Sequence, residues 1–214
     1  MKQYTTYIFD LDGTLLDTLE DLTASTNYVM SKMGMPQHTM EEVRAFVGNG
    51  IRKLIERAVP GGLSNPDYER AYEEFLRHYS VHNMDRTAPY EGIVAMLEAL
   101  KKRGCRIAVV SNKYYLSTQA LCRHFFGELV EVSIGEREGI RKKPAPDTVE
   151  EALRQLGVGK EGAVYVGDSE VDIATAANSG LPCISVLWGF RSKELLEKHG
   201  ATEFVSSPAD LFNS

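Results

Sequence analysis

Asp10 and Asp12 stand two residues apart at the end of the apolar run Tyr7-Ile8-Phe9, and Gly13 and Thr14 follow them. An ordinary strand-end turn would account for that pattern by itself. Far along the chain, Asp168, Ser169 and Asp172 follow another apolar run, Ala163 to Val166. Between the two lie Ser111-Asn112-Lys113, after Val109-Val110, and Lys143, just before Pro144. Four carboxylates in one cleft would repel strongly unless a cation neutralised them. Hard oxygen ligands, completed by water, suit Mg²⁺, for which two carboxylates and a backbone carbonyl are a sufficient protein contribution. Lys143 offers a compact positive charge that can hold a phosphate oxygen beside a nucleophile. Hydroxyls of Thr14 and Ser111, with backbone N–H groups after Asp10, could cradle the other phosphate oxygens. Gly13 lets the backbone turn sharply there.

Phosphoryl transfer depends mainly on positioning and on neutralising charge. A carboxylate can serve as nucleophile, giving an aspartyl phosphate that water then cleaves. The two steps need an acid for the leaving alcohol and a base for the water, and one nearby carboxyl, Asp12, is placed to do both.

Short segments rich in β-branched residues recur at 5–9, 106–110, 129–133, 163–166 and 183–187, with helical patterns such as 91–104 and 144–157 between the later ones. Near-continuous apolar strands alternating with helices predict a parallel sheet covered on both faces, an α/β doubly wound, Rossmann-like arrangement. Ligands of such sheets bind beyond the carboxyl ends of the strands, where all four polar clusters fall. The first crossover is anomalous: Asp10 and Cys105 lie 95 positions apart, whereas a crossover needs only about a dozen residues. The excess reads as helices over 17–33, 39–47, 50–59 and 65–82, separated by turn residues at Gly34–Pro36, Gly48–Gly50 and Pro60–Gly62. The expected division is therefore a core of 1–16 and 86–214 with an all-helical cap of 17–85.

The 214 residues carry a net charge of −6, which argues mildly against a dedicated nucleic-acid binder. No apolar run approaches the ~18 residues of a membrane span, and Asp10 and Asp12 interrupt the one apolar run near the N-terminus, against a signal peptide. Cys105, Cys122 and Cys183 have no metal-binding spacing and read as reduced, packed thiols. Together these predict a cytoplasmic protein, a monomer or homodimer, that acts on a small phosphorylated metabolite with neither nucleic acid nor membrane as partner.

The motifs FDLDGT (9–14), VVSNK (109–113), KKPAP (142–146) and VGDSEVD (166–172) resemble, in type and order, those of the haloacid dehalogenase superfamily of phosphohydrolases. The resemblance spans nearly the whole chain. It implies Asp10 as nucleophile and Mg²⁺ ligand, and Asp12 as general acid/base that also binds the metal through its carbonyl. It implies Ser111 and Lys143 as phosphate ligands, with Asn112 beside them, Asp168 as the third metal ligand, and Asp172 behind them orienting Lys143 or a metal-bound water. It also implies sheet order 5-4-1-2-3. The segments FVGNGIRKLIERAV (46–59), PYEG (89–92) and PCISVLWGF (182–190) look most like phosphoglycolate phosphatases, so 2-phosphoglycolate is the expected substrate. Such a cap should open for substrate and close to exclude water; its Gly48, Asn49, Gly50 and Arg52 are the candidate substrate contacts.

Several alternatives stand beside this reading. Pyrophosphatases, nucleotidases, sugar-phosphate phosphatases and phosphomutases would use the same core. A phospho-accepting signalling module also combines clustered Asp, a hydroxyl and a Lys, but without a helical insertion. Asp17, with Glu20 three residues on, reads as a capping-box helix start rather than a site residue. Lys113, Arg141 and Lys142 read as solvated charge, His78 and His82 as an incidental helix surface, and Trp188 as packing.

Overall fold

The structure, a computed structural model, describes residues 4–212. In chain order the elements are β1 (Thr6–Phe9), β2 (Leu16–Asp17), α1 (Leu19–Lys32), α2 (Met40–Phe46), α3 (Ile51–Ala58), α4 (Tyr68–His82), β3 (Ala88–Pro89), α5 (Ile93–Lys102), β4 (Arg106–Tyr114), α6 (Tyr115–Phe126), β5 (Val132–Glu136), α7 (Asp147–Leu156), β6 (Ala163–Gly167), α8 (Glu170–Ser179), β7 (Cys183–Val186), α9 (Lys193–Lys198) and β8 (Phe204–Val205). Two compact units divide after Leu16 and after Ala88. Among the described residues no helix is long and apolar enough to cross a membrane.

The larger unit is a parallel sheet ordered β5-β4-β1-β6-β7-β8. The five strands foreseen stand in the implied order; the sixth, β8, is two residues long and escapes a periodicity argument. Alternation within the strands assigns side chains to two faces. Tyr7, Phe9, Ile107, Val109, Val164 and Val166 join one buried cluster with α5 and α6, while Ile8, Ala108, Val110, Ala163 and Tyr165 join another with α7 and α8. Burial of each such large side chain contributes about 1.5–3 kcal/mol, which explains why apolar runs persist where a one-faced sheet would alternate.

Register carries this packing to the chemistry. Phe9 stands level with Val109 on one neighbour and Val166 on the other. One residue beyond Phe9 is Asp10, and two beyond Val109 and Val166 are Ser111 and Asp168, so residues of three motifs lie within one residue of the same height.

Two expected boundaries differ. The third strand runs over 132–136 instead of 129–133, because Gly127–Leu129 forms a short 3-10 turn after α6 and pairing with β4 begins later. Strand β4 extends through Tyr114, with its register against β5 shifting between Val110 and Tyr114. Gly135 makes that extension possible: a Cβ there would lie 2.6 Å from the Lys113 carbonyl oxygen and equally close to Thr118 Oγ1 and Tyr115 Cα.

The second unit consists of α1–α4. Buried Val29, Met30, Val43, Leu54, Ile55, Ala71 and Phe75 lie along its helices. Asp17 contributes a local turn, accepting the Leu19 N–H at 3.2 Å, but the expected capping box does not form; Thr18 is the N-cap and makes no side-chain cap bond. Buried Asp21 instead holds the returning chain, accepting from the Arg86 and Thr87 N–H groups and from Thr87 Oγ1. His78 stacks on both Tyr28 and His82, with His78 bonded to Ser25 and His82 to Asp85.

Gly135→Ala is expected to cost about 1–3 kcal/mol through overpacking against backbone, read as a lower denaturant midpoint with an unchanged slope.

Candidate active site

The loop after β1 is wound around one carbonyl. The N–H groups of Thr14, Leu15 and Leu16 all point to the Leu11 oxygen, and Gly13 turns with φ +86°. Leu11, Leu15 and Leu16 are buried completely, so Asp10 and Asp12, flanking Leu11, cannot share its inward direction. Asp10 accepts from the Leu11 N–H at 2.7 Å and from Lys143 Nζ at 2.9 Å, both through Oδ1. No hydrogen bond within the described residues uses its Oδ2.

Lys143 is the centre of a buried cluster. Its ammonium also meets Asp172 Oδ1 at 2.8 Å and the Tyr165 hydroxyl at 3.1 Å. Burial works against its charge, but Asp10 and Asp172 outweigh that and push its pKa up. Asp172 spends its other oxygen on the Ser169 N–H and hydroxyl, the capping box that starts α8. Capping and site assembly are therefore one arrangement. Tyr165, absent from the sequence reading, donates its hydroxyl to Asp172 Oδ1 at 3.1 Å. The only signal for it was a polar atom on an otherwise apolar strand. The Lys143 loop is tied down by two amides: Asn112 Nδ2 donates to the Lys143 carbonyl and Asn178 Nδ2 to that of Pro144.

Asp168 Oδ1 accepts from Thr14 Oγ1 at 3.0 Å and its Oδ2 from the Phe190 N–H at 2.8 Å. Backbone closes around it: a Cβ on Gly13 would lie 2.5 Å from Asp168 Oδ2, and one on Gly189 would collide with Asp168 itself. Burial and the nearby Asp172 raise the Asp168 pKa to about 7, and burial followed by Asp172 also holds Asp10 well above the usual carboxylate range.

Ligand oxygens of Asp10, Asp168 and Asp172 come within 4.8 Å of one another. Asp172 is held by the Lys143 ammonium, Tyr165 and Ser169, whereas among the described residues Asp168 accepts only from the neutral Thr14 hydroxyl and Phe190 N–H and Asp10 keeps Oδ2, so Asp10 and Asp168 are the carboxylates suited to a cation. An all-oxygen donor set whose members resist ionising together fits a hard divalent ion, which would remove that resistance.

Two of the residues expected around phosphate have their side chains turned to protein partners, and one lysine is placed differently from its reading. Thr14 is fully buried with its hydroxyl turned to Asp168, and Asn112 is turned to the Lys143 carbonyl. Ser111 is buried, its Oγ accepting the Lys113 N–H at 3.1 Å. Lys113 corrects the reading of solvated charge: it is 5% exposed and its ammonium sits 2.9 Å from Asp12 Oδ1. The strand continues past Ser111 and carries it inward. Arg141 and Lys142 do lie toward solvent, paired with Asp147 and Glu136. Trp188 packs against the core and donates its indole N–H to the Thr14 carbonyl.

In the helical unit, Gly48 and Gly50 both have positive φ, Gly50 as the N-cap of α3. Arg52 pairs with Glu69 at 3.1 Å and lies over the Tyr72 ring.

The sequence profile of the haloacid dehalogenase-like hydrolases matches residues 7–186. A phosphoglycolate phosphatase of Xanthomonas campestris pv. campestris is 34% identical over 86% of this chain and 83% of its own. An N-acetylmuramic acid 6-phosphate phosphatase of Pseudomonas aeruginosa is 31% identical over 96% and 92%. A crystal structure from Lactobacillus delbrueckii subsp. bulgaricus, provisionally named a phosphoglycolate phosphatase, superimposes with TM-score 0.95 at 36% identity, covering 99% and 98% of the two chains.

A carboxyl that gives up its proton near pH 4 unfolded and near 7 folded leaves the folded form holding more protons in between, so stability falls as pH rises through that window. In chelator, thermal melts are expected to show this loss between about pH 5 and 7, on the order of 4 kcal/mol at its limit. A divalent cation should restore stability most at the upper end, and Asp168→Asn should flatten the slope.

Proposed function

The chain belongs to the haloacid dehalogenase-like hydrolases, and on that premise we propose a phosphatase that cleaves small phosphomonoesters through an aspartyl phosphate, with Mg²⁺ as cofactor and 2-phosphoglycolate as first substrate. The observation that carries it is the buried Lys143 ammonium in contact with Asp10. A nucleophile held at Oδ1 by Lys143 and the Leu11 N–H has Oδ2 left to attack phosphorus. In the first step the Asp10 O–P bond forms, the P–O bond to the alcohol breaks, and Asp12 gives its proton to the departing oxygen. In the second, Asp12 takes a proton from water as the water oxygen bonds phosphorus and the Asp10 O–P bond breaks, returning both carboxyl groups and releasing phosphate. Lys143 and Ser111 hold phosphate oxygens, while Thr14 and Asn112 act one step removed, by fixing Asp168 and the Lys143 loop. Mg²⁺, held by Asp10, Asp168 and the Asp12 carbonyl, would neutralise charge on the phosphoryl oxygens.

Gly48, Asn49, Gly50 and Arg52 are proposed as substrate-selecting residues. The Pseudomonas relative named for a sugar 6-phosphate makes sugar phosphates the second substrate class to try.

With Mg²⁺, initial rates across 2-phosphoglycolate, pyrophosphate, sugar phosphates and nucleoside monophosphates are expected to be highest for 2-phosphoglycolate; a place among the poorest substrates removes that assignment. Asp10→Asn should lower kcat by roughly 10⁴-fold or more, and acid-quenched protein should carry label from a ³²P-substrate in the native enzyme but not in this variant.

A further inference from the structure

Asp12 is held unlike the other carboxylates. Asp10, Asp168 and Asp172 each accept from two or more groups, whereas among the described residues the Asp12 side chain has a single polar partner, Lys113 Nζ at Oδ1. That partner is itself immobilised. The Lys113 N–H donates to Ser111 Oγ, its carbonyl accepts from Thr118 Oγ1 at 3.2 Å, and Gly135 backs the same carbonyl. The ammonium is thus delivered by an anchored strand end to Asp12 Oδ1.

An ammonium has three donors and no acceptor. It can hold Oδ1 whether Asp12 is ionised or protonated, but it can never receive the hydrogen bond of a carboxyl proton. We propose that Lys113 is a positioning residue that reserves Oδ1 as its own ligand and thereby confines the proton of Asp12 to Oδ2, aimed at the leaving alcohol in the first step and at water in the second. The inference rests on the acid–base role of Asp12 in the reading above. Lys113 gives up no proton; the transfers are those already balanced between Asp12, the alcohol oxygen and water.

The test uses leaving groups, because kcat/KM reports alcohol release and a nitrophenolate leaves without an acid. Lys113→Met should lower kcat/KM for an alkyl phosphate roughly 10–100-fold while changing that for p-nitrophenyl phosphate less than about threefold. Asp12→Asn should show the same split, and Lys113→Met should add nothing to it in the double variant. Lys113→Gln, which keeps a donor, should fall between Lys113→Met and the native enzyme and serves equally if the methionine variant fails to fold. Equal losses for both substrates, no loss, or additivity with Asp12→Asn overturns the role of Lys113 alone. An Asp12→Asn enzyme without the leaving-group split overturns the acid–base reading and this inference with it.

Discussion

An ammonium taken out of water costs several kcal/mol even after the protein relaxes around it, and the cost is recovered only where geometry and pairing are good. Lys143 is 3% exposed and lies within 2.9 Å of two carboxylates, so it can exist there only while both are in place. That requirement propagates outward. Asp172 must be presented by the first turn of α8, Asp10 by the end of β1, and the lysine by a loop whose carbonyls are anchored through Asn112 and Asn178. Tyr165 supplies the remaining contact from the sheet itself. Losing either carboxylate would leave the buried ammonium only half compensated, a larger penalty than the pair is worth as a stabiliser.

The same cluster accounts for the behaviour of the carboxylates. Asp168 is gripped by the Thr14 hydroxyl and the Phe190 N–H, which favour its ionised form, yet burial and Asp172 prevail and raise its pKa. The lysine relieves Asp10 but not Asp168. The fold thus builds a surplus of negative charge where β1 and β6 end side by side next to the middle of β4, and the surplus makes the place attractive to a cation.

How much of this the sequence disclosed follows from the range of each interaction. Asp10, Asp12, Lys143 and Asp168 were legible because each ends an apolar run or abuts a proline, and a parallel sheet brings strand ends together whatever the intervening chain does. The helical insertion was legible because its length exceeds any crossover. Lys113 was misread because its partner lies 101 positions away and the strand it rides was expected to stop at Val110. The bond from the Thr14 hydroxyl to Asp168 was hidden for the same reason, its acceptor lying 154 positions on. Tyr165 looked like packing because it is packing, save for one atom. The extension of β4 through Tyr114 depends on a glycine, Gly135, whose value lies in absent atoms, which composition does not weigh.

The two short strands β2 and β3 pair with each other. Their residues are the points at which the chain leaves the sheet unit and rejoins it, so a long excursion begins and ends at adjacent positions. For the host, such an excursion resembles a loop whose ends are already tied, and loop-closure entropy grows only with the logarithm of length. The sheet is therefore nearly indifferent to what is spliced between Asp17 and Ala88. A cassette with neighbouring ends can be lengthened, shortened or exchanged without disturbing the registers that align Asp10 with Asp168, which makes the insert and the reaction centre separately heritable.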